Sequence, residues 1–298
     1  MNTTDVRLLR QCVVIGGAGA VGGMFVRLLT GSGARVVVAD PAGGEVTDDA
    51  GAPGPALVAE LRRADLVVLA LPERAALTAL PRVAAHLRPG ALVVDTLSVK
   101  RQVVAALSAT PGIEAVSLNP MFAPSLGMPG NPVAAVVVHD GEAASELLRL
   151  LAGWGGREVR VDADEHDRLT AAAQVLTHAS VLGFGLGLAE LGVNAGELAA
   201  IAPPPHTTLL ALLSRIASGS PEVYWDVQAA HPHAAGARTA LASGLRRLAD
   251  LVERGDEAGF GAALDDVRDF LGGELAPHAE ICAQLFAGLP QRSRNEAT

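Results

Sequence analysis

Seven short apolar runs spread over roughly the first 160 positions constrain this chain more than any other feature. They are QCVVIGG, ARVVVAD, ADLVVLALP, ALVVDTLS, EAVSLNP, AAVVVHD and REVRVDA. The early runs are continuous rather than alternating, as strands buried on both faces should be. Amphipathic stretches such as MFVRLLTGSG and ERAALTALPRVAAHL separate them. This strand–helix rhythm predicts a doubly wound parallel sheet with right-handed crossovers.

From about Asp164 the pattern changes: no strand-like run follows, and Ala/Leu stretches of helical period continue to about Ala287. Two domains are expected, 1–162 built on the sheet and 163–298 all-helical, as a chain of 298 residues allows. DEHDRLTAAAQVLTHASVLGFGLGLAEL predicts one long helix, with Asp162 or Asp164 as its cap. A helix rich in Gly and Ala and apolar on most faces belongs at close helix–helix contacts, here the core of a dimer. The closing QRSRNEAT is expected to fray.

Half the residues are apolar but only 3% are aromatic, so Ala, Val and Leu must build the core. A net charge of −9 argues against nucleic acid, which wants a basic face, and leaves room for a small anionic ligand in a locally positive pocket. Cys12 and Cys282 lie at opposite ends with no metal-ligand spacing, which suggests a reduced compartment and no metal. The N-terminus lacks a signal-peptide apolar run. The most apolar segment, 179–193, reads as too short and Gly-rich to span a membrane, and it contains Glu190. A soluble, cytoplasmic protein is expected. Lys100 is the only lysine; it is either a chance survivor of a bias against lysine or a residue with a role beside Ser98.

Gly17-Ala18-Gly19-Ala20-Val21-Gly22 follows the first strand and opens a helix. In such a turn the first glycine is expected to allow the tight bend, the second a close approach of pyrophosphate, and the third the packing of helix on strand. The phosphates then meet the positive end of the helix. About twenty residues on, the next strand ends in Asp40, where a carboxylate can hold ribose hydroxyls. Pro41-Ala42-Gly43-Gly44 supplies no arginine for a 2′-phosphate, so NAD is expected over NADP. Leu71-Pro72, taken to close the fourth-strand position, is expected to pass near the cofactor ring or to be an ordinary strand-to-helix turn.

Four further segments, VVDTLSVK, LNPMFAP, EHDRLTAAAQVLTHAS and LLALLSRIASGSPEVYWDV, follow in that order. With the glycine turn, the chain from about residue 11 to 273 resembles the prephenate and arogenate dehydrogenases of tyrosine biosynthesis. The resemblance implies a Rossmann-type N-domain, a helical C-domain that forms a homodimer, and NAD-linked oxidation of a cyclohexadiene dicarboxylate at C4 with loss of carbon dioxide. It implies that Ser98 hydrogen-bonds near the C4 substituent, although Ser98 could equally cap the next helix. Arg215 matches the arginine that grips a substrate carboxylate, and a guanidinium suits that task. His178 matches the histidine of the long helix in the substrate pocket, with Gln174 one turn earlier on the same face. His166 lies in the EHD signature and is expected mainly to orient that helix. Trp225 matches an aromatic position near the pocket, or serves core or interface.

One position departs from the family pattern. Where members carry histidine, written HPM, this chain has Asn119 in NPM. That histidine takes the proton of the C4 hydroxyl as hydride leaves, help worth about 10²–10⁴ in rate. A neutral amide cannot do this. Either the protein is slow or inactive, or another base such as His178 serves, or C4 carries no hydroxyl. An amine at C4 would push hydride out with its own lone pair, and Asn119 could accept its N–H while Ser98 completes the shell. The expected substrate is then 4-amino-4-deoxyprephenate, the product 4-aminophenylpyruvate, and the setting specialised (antibiotic) metabolism by way of 4-aminophenylalanine. The alternatives are an ordinary prephenate or arogenate dehydrogenase and a non-catalytic NAD-binding regulator.

Overall fold

A computed structural model describes residues 5–289; the expected fraying of QRSRNEAT falls outside them. All seven apolar runs are strands: β1 Gln11–Ile15, β2 Arg35–Ala39, β3 Leu66–Leu69, β4 Leu92–Asp95, β5 Glu114–Pro120, β6 Pro132–His139 and β7 Arg157–Arg160. They form one sheet in the order β2-β1-β3-β4-β5-β6-β7. Between them lie α1 Ala20–Gly31, α2 Pro55–Leu61, α3 Glu73–Ala84, α4 Arg101–Ser108 and α5 Glu142–Gly153. The continuous strands are buried on both sides. Val14, Val68, Val94 and Val116 pack with Phe25 and Leu29 of α1 and Leu147 and Leu151 of α5. Val13, Val67, Val93 and Ala115 pack with Leu57 of α2, Leu80 of α3 and Leu107 of α4. Each side chain of this size stabilises the fold by about 1.5–3 kcal/mol when buried.

Two details correct the sequence expectations. The sheet is not wholly parallel, because β6 runs antiparallel to β5. The link 121–131 holds only a 3₁₀ turn at Pro124–Leu126, whereas a parallel return needs a crossover of a dozen or more residues. Leu71-Pro72 follows the third strand, which is also third in the sheet, rather than a fourth. The reversal of winding falls between β1 and β3, so the ends of those two strands frame the crevice that such sheets use for ligands.

The chain divides into two compact units, Met1–Thr170 and Ala171–Thr298. The first ends with α6, Ala163–Thr170, capped by Asp162, whose Oδ1 accepts the Glu165 N–H at 2.8 Å. The helix continues to Glu190 through a π turn at Ala171–Leu176 and then α7, Thr177–Glu190. The second unit further holds α8 Ala195–Ile201, α9 Pro204–Ala217, α10 Pro221–Ala229, α11 Ala234–Glu253, α12 Glu257–Leu271 and α13 Leu275–Ala287. Among the described residues no strand follows Arg160. The helix that contains segment 179–193 runs over Ala163–Glu190, as the stretch DEHDRLTAAAQVLTHASVLGFGLGLAEL predicts. It has 28 residues with an 18-residue window of mean hydropathy 1.3, so by length and composition alone it could cross a membrane. Only 17% of that window is buried within the chain.

Candidate active site

Five strands of the first unit bring candidate residues to their carboxyl ends, on one side of the sheet. After β1 comes the glycine turn. Gly16, not Gly17, adopts the left-handed conformation, at φ +79°. A side chain at Gly17 would meet Val38 at 2.8 Å instead, so Gly17 is excluded by packing and Gly16 by the bend. At Gly22 an added Cβ would lie 2.2 Å from the Gly16 carbonyl, the close helix–strand approach expected there. Ala18, Gly19 and Ala20 are exposed, Val21 is half-buried, and the first turn of α1 carries no acidic residue. An unopposed helix N-terminus suits a pyrophosphate, although the Gly19 N–H already donates to the Gly16 carbonyl at 3.1 Å. Asp40 directly follows β2 and accepts the Ala18 N–H at 3.1 Å and the Ala42 N–H at 2.9 Å. Its carboxylate is thereby fixed beside the turn with acceptor capacity left for a ribose. The Leu71 side chain reaches to within 3.3 Å of the Cβ position at Gly16, so Leu71-Pro72 borders the same turn.

Past β4 lie Ser98 and Lys100. Ser98 is half-buried and gives no cap bond, which corrects the capping alternative. Asp167 of α6 caps α4 instead: its Oδ1 accepts the Lys100 N–H at 2.8 Å and its Oδ2 the Arg101 N–H at 3.0 Å. Lys100 is fully buried. Its Nζ donates to Asp95 Oδ1 at 3.1 Å and to the Leu118 carbonyl at 2.8 Å. The only lysine therefore ties the end of β4 to β5 one residue before Asn119. Burial pushes its ammonium down from the ordinary range, and the charge of Asp95 offsets this only in part.

Asn119 lies in β5, paired with Ala134 of β6, and is 3% exposed. Its Nδ2 is 3.1 Å from His166 Nε2 and 3.1 Å from Met121 Sδ. His166 is buried in turn, with Nδ1 2.9 Å from Asp167 Oδ1. Burial pushes the Asp167 carboxyl up, but hydrogen bonds from His166 and from the Lys100 and Arg101 amides outweigh it and hold Asp167 below the usual range. The structure thus joins Asn119, His166 and Asp167 in one chain of contacts. The sequence signalled the last two only through the EHD motif and gave no hint that they reach Asn119.

The second unit gathers the other candidates. Gln174 lies in the π turn, a distortion common at functional sites. His178 follows on α7, half-buried, its Nδ1 without a partner among the described residues. The ring meets Tyr224 edge-on at 5.1 Å. Burial lowers the His178 pKa, and the charge of Arg215 lowers it further. Arg215 is exposed in the last turn of α9 and has no ion pair within the described residues, which leaves its fork open to a carboxylate. Trp225 is 70% exposed, so within one chain it is not core; Tyr224 is the aromatic that packs on His178. Arg238 donates to the Gln228 carbonyl and Oε1 and is committed there. No cluster among the described residues could hold a metal ion.

Comparisons with known proteins show the family. Residues 45–132 match the family model described as prephenate dehydrogenase, nucleotide-binding domain. A 4-amino-4-deoxyprephenate dehydrogenase of Streptomyces pristinaespiralis is 53% identical over 94% of this chain and 97% of its own length. The T-protein of Haemophilus influenzae is 27% identical over 89% of this chain and 68% of its own. Among solved structures, prephenate dehydrogenase from Aquifex aeolicus, in complex with hydroxyphenyl propionate and NAD+, superposes with a TM-score of 0.67 at 20% identity. That match covers 86% of this chain and 95% of the other. From the strand-end site and from a relative sharing half its residues over nearly its whole length, the chain belongs to the prephenate dehydrogenase family of oxidoreductases.

Proposed function

We propose that the protein oxidises 4-amino-4-deoxyprephenate with NAD to 4-aminophenylpyruvate and carbon dioxide, serving specialised metabolism through 4-aminophenylalanine. The observation that carries this reading is the buried carboxamide of Asn119, at the position where the resemblance drawn from the sequence implies histidine. The 53% identity to a dehydrogenase named for the amino substrate supports it. NAD, held by the Gly17–Gly22 turn and Asp40, supplies the hydride acceptor. The C4–H bond breaks with its electron pair leaving as hydride, while the pair from the broken bond to the ring carboxylate completes the aromatic ring. Nitrogen keeps both its hydrogens, so no base is needed during the chemical step.

The chain's own groups then have separable tasks. Asn119 accepts from the amine N–H, and the Ser98 hydroxyl completes the shell around the substituent. Arg215 holds a carboxylate bidentately. His178, neutral near pH 7 because burial and Arg215 disfavour its charged form, offers a hydrogen bond without competing for the anion; Gln174 lines the same helix. We assign the working form as a homodimer through the second unit, where Leu186, Leu191, Ile201 and Phe270 are more than 70% exposed in the single chain and need cover. Cys12 and Cys282 form no disulfide, in keeping with the cytoplasm.

A second reading, turnover of prephenate or arogenate, draws on one observation: His166 Nε2, an imidazole nitrogen, lies directly behind Asn119. Initial rates with the amino and hydroxy substrates side by side decide between the two. Faster oxidation of prephenate removes the amine assignment.

A further inference from the structure

A carboxamide has two ends of nearly equal size and opposite chemistry, a donor at Nδ2 and an acceptor at Oδ1. Half a turn about its bond exchanges them. At Asn119 the surroundings remove that freedom. Asp167 already accepts two backbone amides at the start of α4, so it is an acceptor, and His166 Nδ1 at 2.9 Å must carry the proton between them. In the neutral ring the other nitrogen, Nε2, is then bare. It can only accept, and the group 3.1 Å away is accordingly the Asn119 amide N–H. Met121 Sδ lies 3.1 Å from the same nitrogen. Oδ1 makes no hydrogen bond to any described residue.

We propose that His166 and Asp167 are positioning residues: acting through Asn119, they fix Oδ1 rather than Nδ2 as the end that meets the C4 substituent. The inference rests on the amine reading above. With Oδ1 presented, the amine donates one N–H and keeps its lone pair free to expel hydride. As positive charge grows on nitrogen, that N–H becomes a stronger donor, so the contact strengthens in the transition state and lowers the barrier. With Nδ2 presented, the amide would donate to the lone pair and hold it back. The family's histidine position is thus filled by an amide whose direction is set from behind, through a chain that starts at a helix N-terminus.

Two measurements on the full-length protein test this. In ¹⁵N-histidine-labelled protein the proton of His166 should sit on Nδ1, with Nε2 bare; a proton on Nε2 overturns the proposal. In kinetics, His166→Leu should lower kcat for the amino substrate by up to about 10²-fold, the scale of a small misplacement at the reacting centre, with KM held within about twofold. His166→Gln, which returns an acceptor near the Nε2 position, should recover most of the loss. Equal rates for the two variants, or an unchanged kcat in His166→Leu, would mean that His166 merely fills space. If the wild type fails to turn over the amino substrate, the proposed function falls, while the protonation state of His166 still judges the assigned amide direction.

Discussion

Replacing Asn119 by histidine puts the chemistry to its most direct test. The new imidazole would face the bare Nε2 of His166, 3.1 Å from the present amide nitrogen. It can donate one ring N–H there and keep the second nitrogen free as a base. A general base is worth about 10²–10⁴ in rate toward a hydroxyl-bearing substrate. The ring is bulkier than the carboxamide, however, and the site is 3% exposed and walled by Met121 and His166. A shift of about 1 Å costs about 10²-fold. The two effects leave a net gain with prephenate of roughly tenfold, from set against. Oxidation of the amino substrate should fall by about 10²-fold or more, because the same shift applies and the oxygen acceptor is lost as well. The ratio of the two activities therefore moves by about three orders of magnitude toward prephenate. Initial rates of NADH formation with both substrates read it, with thermal unfolding to verify the fold. If both activities vanish in a folded variant, Asn119 is a structural amide and the nitrogen-driven mechanism is wrong.

Other perturbations reach different parts of the molecule. Arg215→Ala should raise KM by about 10- to 10²-fold, the worth of a charge-assisted carboxylate contact, and Arg215→Lys should recover little of it; an unchanged KM removes Arg215 from the site. Lys100→Met should destabilise the first unit by about 3–5 kcal/mol, because it leaves Asp95 buried without its cation, and a loss below about 1 kcal/mol in denaturant unfolding would contradict the buried pair. The folded pKa of His178 lies below its ordinary 6.5, so the unfolded chain binds the extra proton first and stability declines as pH falls through that window. His178→Gln should flatten this decline, and an unaltered pH profile would show that the histidine is solvated. Gly19→Ala, whose new methyl would lie 3.2 Å from the Gly16 carbonyl on an exposed turn, should weaken NAD binding by about tenfold with the fold intact, whereas Gly22→Ala should not fold stably.

The strands were legible because burial on both faces writes them as uninterrupted apolar runs, and Asp40 could be placed from its distance to the glycine turn. The direction of β6 was not, since it follows from the length of link 121–131 rather than from any property of β6. Adjacent Gly16 and Gly17 look alike in the sequence, yet one is demanded by backbone conformation and the other by the Val38 side chain. Tyr224 and Trp225 illustrate a similar limit: neighbours on a helix point about 100° apart, and only packing shows which meets His178. The largest omission was the chain Asn119–His166–Asp167. Asp167 caps a helix 66 residues away, and His166 reaches an amide 47 residues away. Contacts at such separation leave no local pattern.

The burial of Lys100 has a practical corollary. It is the sole lysine of the chain and has no solvent-accessible surface, so the folded exterior offers no side-chain primary amine. Amine-coupling resins, N-hydroxysuccinimide dyes and lysine crosslinkers will find no lysine side chain on the folded surface. Acylation or conjugation of the ε-amine requires the ends of β4 and β5 to open first, so labelling at Lys100 becomes a clock for that local unfolding.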